Sequence, residues 1–366
     1  MLRFLWNTVK AMLIFILIAL IVLYALTKLL RGVGKTPSKK QQALYAKKNE
    51  LYYDGMFHNI QESELIDVNS YTHTDAEEIT PKKNIDVTEI TDFPEPEKGK
   101  TTITWLGHSG MLIQMDGKNI LTDPVLTKYA SPVNFTGVKR FSKCPISLDK
   151  IPEIDVVLIS HDHYDHLDYQ TIKKIDKKVQ KYIVPLGVEA YLKGWGIKNE
   201  KIVALNWWEG EQVDEVTFVS IPSQHFSMRN PLKRDVTLWC GFVIKDRENT
   251  LYFTGDTGYS NTFKEVYNKF GSIDLLMADT GQYNKAWQSI HMNPYDALQA
   301  AKDVDAKYFM PIHWGTFVLS NHNWYDPAEV TTKEKDEYGV NVVTPRIGDI
   351  VDIKDIGEYT NRWWQE

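Results

Sequence analysis

The sequence predicts an α+β fold: two β-sheets with helices on their outer faces, preceded by one membrane-spanning helix. Three observations carry this. The N-terminus holds a long apolar run. Beyond residue 100, short apolar strands alternate with helical patterns in two successive runs. The strands recurrently end in His or Asp, most densely in Ser160-His161-Asp162-His163-Tyr164-Asp165-His166-Leu167-Asp168, which follows the apolar Val156-Val157-Leu158-Ile159.

The apolar run Ala11 to Leu26 is unbroken and extends through Thr27 to Leu30. That matches the ~20 residues a helix needs to cross a bilayer core. It is too long for a signal-peptide core, and Lys28 and Arg31 stand where a cleavage site would be. Arg3 and Lys10 precede it; Lys28, Arg31, Lys35, Lys39, Lys40, Lys47 and Lys48 follow. The excess of basic residues predicts a single-pass anchor in the cell membrane with the C-terminal domain in the cytoplasm. Residues 1–31 are read as the anchor, 32–100 as a linker and surface wrap with a helix around Lys40 to Leu51, and 101–366 as the catalytic domain.

Strands are expected at Thr102–Leu106 and Met111–Met115, opening an antiparallel sheet. Further strands are expected at Val156–Ser160, Tyr182–Val184, Lys201–Ala204, Glu215–Ile221, Gly241–Ile244, Leu251–Thr254, Leu275–Ala278 and Tyr308–Met310. Helices are expected at Tyr169–Ile175, Gly187–Lys193, Asn261–Phe270 and Pro294–Asp303, the last capped by Asn293 with Pro294 at its first position.

The net charge of -6 offers no basic field for nucleic acid. Cys144 and Cys240 are too few for a disulfide framework. Neutral imidazoles and carboxylates are ligands that Zn, Fe and Mn accept. Further ligand types follow later strands: His225 in Pro222-Ser223-Gln224-His225, Asp256 in Gly255-Asp256-Thr257-Gly258, and His313 in His313-Trp314-Gly315-Thr316. These residues would converge on one rim, because each lies just past the C-terminal end of a strand.

His161-x-His163-x-Asp165-His166 with His225, Asp256 and His313 resembles the metallo-β-lactamase superfamily of binuclear hydrolases. Trp105-Leu106-Gly107-His108, Leu121-Thr122-Asp123-Pro124, Lys139-Arg140-Phe141, Trp207-Trp208-Glu209, Gly255-Asp256-Thr257-Gly258-Tyr259 and Ile312-His313-Trp314-Gly315-Thr316-Phe317 resemble its branch of phospholipases D that hydrolyse N-acyl phosphatidylethanolamine. The resemblance covers about residues 100 to 350, without the anchor.

It implies an αββα sandwich holding two divalent metal ions, usually zinc, with Fe or Mn also compatible. By that resemblance His161, His163 and His225 hold one ion, Asp165, His166 and His313 the other, and Asp256 bridges. Ions ~3.5–4 Å apart can share a hydroxide for in-line attack on phosphorus. The implied reaction yields phosphatidic acid and an N-acylethanolamine from a phospholipid in a membrane, and a homodimer is left open. Catalytic parts fall to Asp165 and to His291, which is suited to holding a phosphate oxygen or protonating a leaving group. Asp123 either orients a ligand histidine or simply forms an Asp-Pro turn. Asp162 and Asp168 drop out as ligands.

The chain departs from the animal enzymes before His291, with Ile290 in place of Gln and a shorter segment from Asn284, which puts the pocket's shape in question. A metal-dependent lactonase, or a hydrolase of another soluble substrate, is the alternative enzyme; an inactive metal-binding membrane protein is the alternative outside enzymes. Lys139, Arg140, Arg229, Lys233 and Arg234 either meet a phosphate or lipid surface or are merely solvated. Trp207 and Trp208 are expected to pack, and Trp363 and Trp364 sit either at a membrane interface or in the core.

Overall fold

Alternation of apolar residues along the strands decides the layering. In the computed structural model, which describes residues 2–62 and 76–366, Ile120, Val156, Leu158 and Ile183 face one side of a sheet, while Leu121, Val157, Tyr182 and Val184 face the other. Both faces are apolar, so both must be covered. The sheet comprises β1 (Thr101–Gly107), β2 (Gly110–Met115), β3 (Lys118–Thr122), β4 (Ile154–Leu158), β5 (Val179–Pro185), β6 (Ile202–Leu205) and, from the C-terminal region, β13 (Ile350–Asp352). Their order is β6-β5-β4-β3-β2-β1-β13. Pairing is antiparallel from β13 to β3 and parallel from β3 to β6.

The second sheet runs in sequence order through β7 (Gly210–Val213), β8 (Val216–Pro222), β9 (Cys240–Lys245), β10 (Thr250–Phe253), β11 (Leu275–Asp279) and β12 (Tyr308–Ile312). Its first four strands are antiparallel and its last pairings parallel. Between the sheets lie Trp105, Ile113, Phe218, Phe242, Phe253 and Trp314. Helices α3 (Tyr169–Ile175) and α4 (Val188–Gly194) cover the first sheet, and α5 (Thr262–Phe270) and α6 (Pro294–Asp303) the second. Asp168 caps α3 by accepting from Gln170 and Thr171 N–H, and Asn293 caps α6. The expected αββα layering and each expected strand and helix are present, with ends shifted by a few residues.

The N-terminal helix α1 (Leu2–Val33) is long and apolar enough to cross a membrane. The stretch read as a linker is more structured than expected: α2 (Lys39–Lys48) carries Tyr45 into the inter-sheet core, and Tyr52 and Phe57 follow it there. The part of that stretch at 63–75 lies outside the described residues. Among the described elements, β7, β13 and α7 (Asp326–Tyr338) were not foreseen. Their sequences are short or polar (Gly-Glu-Gln-Val, Ile-Val-Asp and a charged helix), so pairing and docking, rather than periodicity, define them. Trp363 and Trp364 are buried against Trp314, which settles their place in the core.

Candidate metal centre

Each strand that supplies a site residue ends at the same rim. β4 delivers Ile159-Ser160 and then His161 to His166; β8, β10 and β12 deliver His225, Asp256 and His313. β8 and β10 are both antiparallel to β9, so both point the same way. The first sheet thus supplies four of the seven expected residues and the second sheet three, and the structure brings all seven together.

They form two groups that meet at Asp256. His161, His163, His225 and Asp256 have ligand atoms within 4.8 Å of one another. On the other side, Asp165 Oδ2 lies 3.4 Å from His166 Nε2 and 3.5 Å from His313 Nε2. Asp256 Oδ2 is 3.1 Å from His166 Nε2, 3.3 Å from His313 Nε2, 3.7 Å from His161 Nε2 and 3.8 Å from His225 Nε2.

The outward nitrogens fix the tautomers. His225 Nδ1 donates to Ile290 O (3.1 Å), and His166 Nδ1 to Asp123 Oδ2 (2.8 Å). His313 Nδ1 donates to Asp279 Oδ1 (3.0 Å). Ser160 Oγ donates to Asp123 Oδ2 and so accepts from His161 Nδ1 (2.8 Å). With Nδ1 so engaged, all four rings turn Nε2 inward, the atom that binds a metal once it gives up any proton it carries, as in metal-binding histidines. Asp123 acts as the orienting carboxylate, since it holds His166, Ser160 N–H and Ser160 Oγ together.

The donor set fits two divalent cations. Among the described residues, His161 Nε2 and Asp256 Oδ1 are buried without a hydrogen-bond partner. His166 Nε2 faces His313 Nε2 at 3.3 Å, and His163 Nδ1 faces His225 Nε2 at 3.3 Å. Nitrogen atoms converging in pairs around shared carboxylates satisfy one another poorly and a cation well. The charge balance agrees. Burial opposes ionisation of Asp256, yet the His166 and His313 imidazoles hold its carboxyl well below the usual range. Burial likewise disfavours charge on His313, but the carboxylates of Asp256, Asp279 and Asp165 outweigh it and push its pKa up to about 10. His161 and His225 are driven well below their ordinary value, first by burial.

Sequence reasoning missed several residues here. Asp279, at the end of β11, accepts from His313 through Oδ1 and from His291 Nδ1 through Oδ2 (2.8 Å). It carries the same signature as the others, a carboxylate closing an apolar strand. His108 Nε2 bonds Asp165 Oδ2 (2.9 Å), and burial lowers its pKa to about 3. Asp162 and Asp168 are indeed turned away: Asp162 accepts from Tyr191 OH and the Met228 N–H, and Asp168 caps α3.

A cavity of about 360 Å³ opens over the centre, lined by His163, Asp165, Phe226, Trp287, His291 and Leu319, among others. His291 stacks on His313 with ring centroids 5.2 Å apart. Ile290, which replaces an expected Gln, is buried at the cavity wall. Of the flanking cations, Arg140 and Arg229 are withdrawn from solvent. Arg140 is buried and donates to Val125 O; Arg229 is fully buried among backbone carbonyls. Lys139, Lys233 and Arg234 are exposed.

The family described as "Beta-lactamase superfamily domain" matches residues 118–314. The chain belongs to the metallo-β-lactamase superfamily and is a metal-dependent hydrolase. An N-acyl-phosphatidylethanolamine-hydrolyzing phospholipase D of Caenorhabditis elegans is 33% identical over 269 residues, covering 69% of this chain and 76% of its own. That likeness places the chain in the branch named after this activity. An uncharacterized protein of Mycobacterium tuberculosis is 40% identical over 260 residues, 70% of each chain. The solved structure of Igni18, a metallo hydrolase from Ignicoccus hospitalis, aligns with a TM-score of 0.54 at 19% identity over 69% of this chain and 98% of its own, a likeness of fold.

Proposed function

We propose that the protein is a membrane-anchored phosphodiesterase of phospholipase D type. It hydrolyses N-acyl phosphatidylethanolamine, or a related phospholipid, to phosphatidic acid and an N-acylethanolamine. The observation that carries this reading is the twin His/Asp cluster sharing Asp256 under a cavity with Phe226, Trp287, Ile290 and Leu319 on its walls. A charged phosphodiester and an apolar chain both find partners there. The named activity of the C. elegans relative points to the same substrate.

His161, His163 and His225 would hold one divalent ion, Asp165, His166 and His313 the other, with Asp256 between them; the donors suit zinc, and also Fe or Mn. Such ions, when bound, lower the pKa of an attacking water and neutralise charge on the phosphoryl oxygens. The chain's own residues do the rest. Asp165 is held against His108 so that its Oδ2 stays on the centre. His291 has Nδ1 committed to Asp279, which turns Nε2 to the cavity. There it holds a phosphoryl oxygen or hands a proton to the departing alkoxide as the phosphorus–oxygen bond on the ethanolamine side breaks. The apolar wall excludes water from the rest of the lipid.

Helix α1 supports an anchor, and the Lys/Arg excess after it supports a single pass through the cell membrane with the catalytic domain in the cytoplasm. Residues 1–31 would be the anchor, 32–100 a packed connection, and 101–366 the hydrolase. A panel of phospholipids and a panel of lactones, each assayed with the purified protein and Asp165→Asn, tests the reading. Release of phosphatidic acid from N-acyl phosphatidylethanolamine, abolished in the variant, is expected. Lactone turnover with every phospholipid left intact refutes it.

A further inference from the structure

The loop from Phe226 to Asp235 starts beside the candidate centre and runs to the anchor. Its neck is closed by Ser227 N–H donating to Asp235 Oδ1 (3.0 Å) and Asp235 N–H donating to Ser227 O (2.7 Å). Its tip is a turn: Lys233 N–H donates to Asn230 O (2.9 Å), and Leu232 N–H to Asn230 Oδ1 (3.0 Å). Turn tips favour Gly, Asn, Asp and Ser, yet Leu232 stands here 90% exposed, with Met228 also exposed.

A lone exposed apolar side chain needs no explanation. These are not alone. Phe135 is exposed on a neighbouring loop, and both loops grip the end of α1. A Cβ on Gly32 would meet Pro132 O at 1.8 Å. Arg229 donates to Gly32 O (2.7 Å) and Val33 O (3.2 Å), and Lys233 Nζ donates to Thr36 Oγ1 (2.9 Å). The exposed apolar residues therefore sit on the two loops that hold the end of the apolar helix. Lys233 and Arg234 flank the tip, and Lys28 and Arg31 lie on the last turns of α1. An exposed apolar tip with cations beside it suits the boundary between acyl chains and anionic headgroups. The other end of the loop reaches the chemistry: Phe226 sits edge-on to His163 (4.6 Å) and lines the cavity.

We propose that this loop, with Phe135 beside it, is a second membrane contact. It seats Leu232 in the headgroup–acyl boundary of a lipid bilayer and holds the mouth of the cavity at that surface. The proposal rests on reading α1 as an anchor, and the experiment separates the two. In the full chain carrying Cys144→Ser, single variants Leu20→Cys, Leu232→Cys and Tyr267→Cys are labelled with an environment-sensitive fluorophore. Tyr267 is exposed on α5, on the helical face of the second sheet. The proteins are reconstituted in phosphatidylcholine vesicles with about a third phosphatidylglycerol, and quenching by doxyl-labelled lipid is read.

Blue-shifted, quenched emission at positions 20 and 232, but not at 267, is the expected result. If 20 is quenched and 232 is as wet as 267, the anchor stands and this inference falls. If 232 is quenched and 20 is wet, the anchor reading falls and the loop stands as a membrane contact of its own. If both are wet, both fall.

Discussion

Asp279→Asn isolates one imidazole of the site. Asp279 is fully buried, and its two oxygens serve three donors. Oδ2 accepts from His291 Nδ1 and the Thr257 N–H (3.2 Å), while Oδ1, among the described residues, accepts from His313 Nδ1 alone. Asparagine keeps the shape but turns one oxygen into an NH2. Placed at Oδ2, that NH2 opposes two donors; placed at Oδ1, it opposes one. It therefore settles against His313. The ring must then carry its proton on Nε2, pointing into the centre, or leave a buried donor unpaired. The cost is about 1–3 kcal/mol, in line with the 10–100-fold losses in metal affinity or activity typical of such orienting partners. Competition with a chromophoric chelator, with turnover on vesicles alongside, reads this out. The ion assigned to Asp165, His166 and His313 should weaken by roughly 10–100-fold, and the one assigned to His161, His163 and His225 by less than about threefold. Wild-type affinity at both sites with turnover unchanged would refute the reasoning. So would equal loss at both sites in a protein whose circular dichroism is intact.

Three other perturbations follow from the same geometry. Arg229→Met strands the Gly32, Asp162 and Leu167 carbonyls that the guanidinium joins, and should lower stability in detergent by ~3–5 kcal/mol; a midpoint shift under ~1 kcal/mol contradicts the count of bonds. His322 Nε2 accepts from the Gln282 N–H (2.8 Å), and burial lowers its pKa to about 4. A histidine depressed on folding contributes stability above its unfolded value of ~6.5 that is lost as pH falls toward 4, so a thermal-melt series from pH 7 to 4 should fall less steeply for His322→Gln by up to ~2–3 kcal/mol. Dialysis against chelator should abolish turnover and lower the melting temperature, since a ligand held at 1,000 times its Kd contributes ~4 kcal/mol; an unchanged melt after verified metal loss would mean the ions do not join the sheets.

The layering was legible because it rests on period-two alternation and on strand lengths that a short apolar run displays. The candidate centre was legible for the same reason: His161, His225, Asp256 and His313 each close a recognisable strand, so topology alone carries them to one rim. What stayed hidden has a different physical basis. Asp279 bears the strand-end signature, but in sequence it resembles any acidic residue leaving a sheet, and its role appears only when two imidazoles arrive from 12 and 34 residues away. The burial of Arg229 is invisible in sequence, because it depends on carbonyls at residues 32 and 33, nearly 200 positions upstream. Polar elements such as α7 and β7 lack the apolar rhythm that periodicity reads.

The buried Arg229 links two features that sequence treats as separate. Among the described residues its guanidinium forms no ion pair; it rests on the terminal carbonyls of α1, on Asp162 O (3.0 Å) and Leu167 O (2.7 Å), and over the rings of Tyr164 and Trp195. The negative end of a helix dipole is a fitting partner for an unpaired cation. Asp162 and Leu167 bracket the very segment that holds His163, Asp165 and His166. The end of the apolar helix and the metal-facing loop therefore share one buried charge. Pulling the helix away would expose that charge's loss on both sides at once, leaving carbonyls unpaired at the helix end and the loop free to move. The end of α1 is thus built into the support of the candidate centre, which explains why the 32–37 stretch is packed into the fold instead of spanning free solvent.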